Sequence, residues 1–89
     1  MENVSLSERA AEKFGLPADV VANTIRLVLT GSRQLYIENH RGVLGLDEYS
    51  ITVAGGRVNV RIFGSGLRLR AMNRHEMFVT GEFKTIEYI

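Results

Sequence analysis

Cysteine is missing from the 89 residues, proline occurs once and histidine only twice. Without cysteine the chain can have neither a disulfide framework nor a thiol nucleophile, and it suits a reducing compartment. Two histidines leave too few ligands for a structural zinc site. No stretch reaches the roughly 18 consecutive apolar residues of a membrane-spanning helix. The opening residues MENVSLSERA lack the basic and apolar regions of a secretory signal. The expected location is therefore the cytoplasm. Excess charge is lacking as well, with eleven basic and ten acidic side chains leaving a net +1.

What remains is the composition of an ordinary globular domain, 45% apolar and 24% charged. One domain over residues 1–89 is expected, burying roughly 60–65% of its unfolded surface and therefore modestly stable. The near-neutral total conceals an uneven distribution. Arg57, Arg61, Arg68, Arg70 and Arg74 follow one another with no acidic residue between them, and the rest of the chain is net acidic.

Ser5-Leu6-Ser7-Glu8 has the pattern of a capping box, which predicts a helix over residues 5–15. Leu6, Ala10 and Phe14 recur at helical spacing, Gly15 can take the left-handed stop, and Pro17 forces a turn. This helix is expected to pack on the sheet rather than dock on a membrane, because its polar face mixes both signs of charge.

Residues 24–89 change to period two, with glycine or polar pairs interrupting at short intervals. Ile25, Leu27 and Leu29 alternate with Arg26, Val28 and Thr30. After Gly31-Ser32-Arg33, Leu35 and Ile37 continue the pattern. A strand follows at 43–46, then Tyr49, Ile51 and Val53 form another. Val58, Val60 and Ile62 follow Gly55-Gly56, and Leu67, Leu69 and Ala71 follow Gly64-Ser65-Gly66. The segments 77–80 and 83–88 are separated by Gly81. In EFKTIEYI a β-bulge between Phe83 and Ile86 would bring Phe83, Ile86 and Tyr88 to one face. The prediction is mainly β: a short N-terminal helix, then seven or eight short, mainly antiparallel strands forming a small sandwich or roll. The near-regular spacing leaves a β-solenoid-like stack as the alternative.

YIENHRGVLGL reads as a hairpin, with Leu35, Ile37, Leu44 and Leu46 on its buried face and Asn39 and Gly42 supplying left-handed backbone. His40 and Arg41 could otherwise serve as proton carrier and anion clamp, with Glu38 orienting the imidazole. His75 would then have to meet His40, which nothing in the sequence argues. The nearest acidic residues fall at ordinary strand-end and turn positions, so no catalytic constellation is visible. GGRVNVR and GSGLRLR lead into strands rather than helix N-termini, which excludes a phosphate loop or dinucleotide fingerprint. No metal or cofactor is predicted.

The arginines carry more information. Arg57 and Arg61 share one side of a strand, as do Arg68 and Arg70, and pairing of the two strands would gather all four into a positive ribbon. Such a ribbon fits an acidic protein or an anionic membrane surface. Nucleic acid fits less well, because only Phe63 supplies an aromatic ring there.

Three runs, FGLPADVV, then TIRLVLTGSRQLYIENHRGVLGL, then GGRVNVRIFGSGLRLRAMNRHEMFVTGEFKTIEYI, resemble in order and spacing the YabP/YqfC family of sporulation proteins from spore-forming Firmicutes. YIENHRG is the closest fragment, and the Leu-Pro-x-Asp-Val start and the closing G-x-x-x-x-I-E-Y agree. VNVRIFGSGL departs from the family pattern but keeps Gly64 and Leu67. The resemblance implies a small non-enzymatic protein of the mother cell, a companion of membrane-anchored sporulation proteins such as a YqfD-type membrane protein. It carries over no catalytic residue and no cofactor. Taken with the residues, it predicts an interaction or assembly module, peripheral to the membrane through a partner. Edge strands would permit homo-oligomers. The candidate contact residues are Arg57, Arg61, Arg68, Arg70, His40 and Arg41. The alternative is a nucleic-acid or anionic-surface binding module; hydrolysis by His40, Glu38 and His75 ranks last.

Overall fold

A computed structural model of the protein describes residues 23–89. The predicted helix over 5–15 and the turn at Pro17 lie outside the described residues. Six strands form one sheet: β1 (Arg26–Thr30), β2 (Gln34–Glu38), β3 (Val43–Leu46), β4 (Ser50–Ala54), β5 (Asn59–Met72) and β6 (Glu76–Tyr88). Their order is β1-β2-β6-β5-β4-β3, and every pairing is antiparallel. A β-solenoid would stack each repeat on its neighbours in sequence. Here β2 pairs instead with β6 at the far end of the chain, so that alternative is overturned.

Two strands are far longer than the sequence suggests. β5 has 14 residues and β6 has 13, and each belongs to two layers. Residues 68–72 of β5 and 76–80 of β6 extend β1 and β2, while residues 59–63 of β5 and 82–88 of β6 extend β3 and β4. The sheet is thus folded on itself along the β5–β6 pair. Alternation turns Leu35, Ile37, Met77 and Val79 inward from the first layer, and Ile51, Val53, Val60 and Ile62 inward from the second. All eight are essentially inaccessible to solvent and join Ile25, Leu67 and Phe83 in one core. Each such side chain contributes about 1.5–3 kcal/mol relative to exposure.

The fold line is built from bulges. Lys84 is an extra residue on β6 between the pairs Phe63–Thr85 and Gly64–Phe83. This is the predicted bulge, and it brings Phe83, Ile86 and Tyr88 to one side of β6, although only Phe83 is buried there, Ile86 being 37% and Tyr88 73% exposed. Gly66 and Leu67 together oppose Gly81, and Arg70 is a further extra residue on β5. The expected turns at Gly64-Ser65-Gly66 and at Gly81 are therefore bends within continuous strands, and the seven or eight predicted strands become six. Glycine fits either role, because it accepts positive φ and close backbone approach. Gly66 has φ +60° and Gly81 φ +149°. A Cβ on Gly64 would drive into the Glu82 carbonyl. The bend is tied to the β3–β4 turn as well, since the Gly64 N–H donates to the Tyr49 carbonyl and the Leu67 N–H to the Glu48 carbonyl, both at 2.9 Å.

The predicted hairpin of YIENHRGVLGL is also corrected. β2 and β3 lie in different layers and do not pair. Asn39 (φ +65°) and Gly42 (φ +124°) do take positive φ, but they carry the chain from one layer to the other. Leu35 and Ile37 are buried as expected, whereas Leu44 and Leu46, on an edge strand, are 61% and 49% exposed. Periodicity assigns faces, and it cannot say which strand lies alongside.

Candidate interaction surface

The register sets the outward side chains of the first layer in three rows running across its strands. Arg26, Glu38 and Glu76 form one row; Val28, Tyr36, Phe78 and Ala71 form the middle one; Thr30, Gln34, Thr80 and Arg68 form the third. The middle row is apolar apart from one hydroxyl. Its members range from half-buried to exposed, although they are on the outside of the molecule. The second layer's outward face is mostly polar, with Ser50, Thr52, Asn59, Arg61, Thr85 and Glu87 around Phe63.

The four arginines do not form one ribbon. They lie along the single strand β5 and the turn before it, not on two paired strands, because the expected turn at Gly64-Ser65-Gly66 is a bend. Arg57 is exposed in the β4–β5 turn. Arg61 is on the second layer, its Nε donating to Thr52 Oγ1 at 3.2 Å, with Glu87 at 3.9 Å. Arg68 and Arg70 are on the first layer. Arg70 Nε donates to Thr80 Oγ1 at 2.8 Å, and among the described residues neither arginine meets a carboxylate. Arg33, from the β1–β2 turn, joins them around an open hollow of about 350 Å³ and is itself 3.2 Å from Glu82. Arg33 is not legible in the sequence as a member of this group, because only the register of β2 on β6 brings that turn beside β5.

His40 is a structural residue. Only 5% of it is exposed, and both ring nitrogens are engaged by the main chain. The Gly42 N–H donates to Nδ1 at 3.1 Å, which places the ring proton on Nε2. Nε2 donates in turn to the carbonyls of Asn73 at 2.9 Å and Glu76 at 3.3 Å. Expected on an exposed turn, the ring is instead a clasp between the β2–β3 crossing and the β5–β6 turn. The Asn39 N–H reinforces it by donating to the His75 carbonyl at 2.7 Å. His40 and His75 line the same open hollow of about 590 Å³, together with Arg41 and Arg74. Glu38 does not orient the imidazole, since it takes Arg26 at 3.1 Å.

Glu38 and Glu76 are direct cross-strand neighbours, an arrangement that repels unless something intervenes. The Tyr36 hydroxyl lies between them, donating to Glu76 and 3.2 Å from Glu38. The bond to Glu76, with burial and the two negative charges, holds the phenol well above the usual tyrosine range. The same bond, aided by Asn73 Nδ2 at 3.0 Å, holds the Glu76 carboxyl below the usual range. Among the described residues no group of three or more acidic or histidine side chains could hold a metal ion. Among them, too, no helix is long and apolar enough to cross a membrane.

The model of the YabP family matches residues 22–89. The uncharacterized protein YqfC of Bacillus subtilis (strain 168) is 27% identical over 74 residues, covering 83% of this chain and 80% of that protein. No solved structure matches the chain.

Proposed function

The chain belongs to the YabP family, and on that premise we propose that it is a non-enzymatic interaction module acting in sporulation. It works in the mother-cell cytoplasm and reaches the membrane through a partner, a membrane-bound sporulation protein of the YqfD type. The observation that carries this reading is the outward face of the first layer. There an exposed apolar row lies beside Arg68 and Arg70, neither of which meets a carboxylate among the described residues. Guanidinium groups held without an acid are suited to an acidic partner surface, and the apolar row supplies the area that excludes water. The similarity to YqfC and the order of the sequence motifs support the sporulation role. The test is co-purification with the YqfD-type protein and spore yield after Arg68→Glu/Arg70→Glu. Loss of both is expected, and unchanged capture would refute the basic-face reading.

A second reading, binding to an anionic surface such as lipid headgroups or nucleic acid, is favoured by one observation. Arg33, Arg68 and Arg70 converge on a single hollow. It predicts attachment that falls steeply with salt, whereas a contact centred on the apolar row persists.

A further inference from the structure

Taking the chain as an interaction module, we infer that the outward face of the first layer, the face proposed for partner contact, is in the free protein a self-association surface, covered by a second copy of this chain in a two-fold dimer that the partner must displace. The face is self-complementary in one orientation. Its apolar row lies between a row that nets one negative charge from Arg26, Glu38 and Glu76, and a margin that carries Arg68 and Arg70. A two-fold axis along the apolar row exchanges the two outer rows and leaves each strand opposite its own copy. Tyr36 and Phe78 then stack on the partner's Tyr36 and Phe78. Arg68 and Arg70 on β5 then face Glu76 of the other copy across the interface, offset sideways by one strand spacing of about 4.8 Å. An axis along the strands would set the acidic row against its own copy, with Glu38 facing Glu76 of the other copy, and is disfavoured by like charge.

The face also bounds the strength of the contact. Four strands by five residues cover about 19 Å by 16 Å, on the order of 300 Å². That is less than the roughly 800 Å² per partner of a standard interface, so association is weak and depends on concentration. Among the described residues β1 and residues 68–72 of β5 are the two edges of this layer, and no further strand pairs with either.

Sedimentation of the full chain from about 10 µM to about 1 mM should show a reversible monomer–dimer equilibrium. Phe78→Lys, at a half-buried outward position, should raise the dissociation constant at least tenfold with the far-ultraviolet spectrum unchanged. Arg68→Glu/Arg70→Glu and Glu76→Lys should each stay monomeric alone, and an equimolar mixture of the two should dimerise again, because each supplies the charge the other lacks. A monomer at every concentration, a dimer indifferent to Phe78→Lys, or no recovery on mixing would overturn the inference. A wild-type monomer whose partner capture is still lost in Arg68→Glu/Arg70→Glu would leave the proposed function standing without the dimer. A wild-type dimer with capture unaffected by that variant would do the reverse.

Discussion

At the scale of single residues, polar side chains here do structural work that their position in the sequence disguises. His40 lies in a tetrapeptide, Asn-His-Arg-Gly, that reads as a solvated turn, yet its buried ring accepts from the Gly42 N–H and donates to the Asn73 and Glu76 carbonyls on two separate connections. Removing it breaks these bonds, at about 0.5–1.5 kcal/mol each. His40→Ala should lower the urea midpoint accordingly while leaving partner capture per folded molecule intact; a loss of capture at unchanged stability would return His40 to the contact surface. Tyr36 makes a different contribution, which depends on pH. Glu76 titrates below its unfolded value, so its stabilisation is complete above the usual carboxylate range near pH 4.3 and is lost as pH falls through the folded value. Tyr36 titrates above its unfolded value, so its stabilisation is complete below about pH 10 and is lost as pH rises beyond that. Tyr36→Phe removes the hydroxyl from both. The wild-type advantage over Tyr36→Phe in urea midpoint should therefore be largest near neutrality and shrink at both extremes. A difference that stays constant with pH would show that the hydroxyl is not the link.

At the scale of elements, the glycines decide between a turn and a bend, and the sequence does not distinguish them. Gly64 has no room for a side chain because the Glu82 backbone crosses there, and Gly81 is crowded by Leu67 at positive φ. Gly45 on edge strand β3 has open space and no unusual φ. Gly64→Ala should thus cost about 3 kcal/mol or more, and Gly45→Ala should change stability by no more than about 0.5 kcal/mol. Equilibrium unfolding of the two variants measures the contrast, and similar losses would mean that the bend tolerates a Cβ. The same two glycines mark where sequence reading reached its end. Alternation of Ile51 with Val53, of Val60 with Ile62 and of Leu35 with Ile37 identified the inward faces, because period two follows from strand geometry alone. The Lys84 bulge was legible from the lost phase of EFKTIEYI. Strand order was not, since Leu44 and Leu46 carry the same inward pattern as core residues and only the absent β2–β3 pairing exposes them. The outward apolar row left a trace as well: Val28, Tyr36 and Phe78 are apolar residues at positions where their strands should turn to water. Read together, they would have pointed to the candidate surface before any register was known.

At the scale of the whole molecule, folding one sheet into two layers divides the positive charge that the sequence concentrates. Arg68 and Arg70 occupy the outer face of the first layer with Arg33 beside them, while Arg61 occupies the outer face of the second and Arg57 the turn leading into it. The layers share one core, so these outer faces point away from each other. Stacked sheets are about 10 Å apart before outward side chains are added, and at physiological salt the screening length is about 8 Å. An anionic surface lying against one face therefore receives little attraction from the other. Reversing either pair changes the net charge by the same amount, which makes the comparison a test of placement. If an anionic surface binds this protein through the first layer, Arg68→Glu/Arg70→Glu should release it from heparin or from phosphatidylserine vesicles at distinctly lower salt than Arg57→Glu/Arg61→Glu. Arg33→Glu, which changes the charge by half as much, should also be more disruptive than Arg57→Glu/Arg61→Glu because it faces the same hollow as Arg68 and Arg70. Equal elution of the two double variants would mean that net charge alone governs the contact, and that the fold's division of the arginines has no consequence for binding.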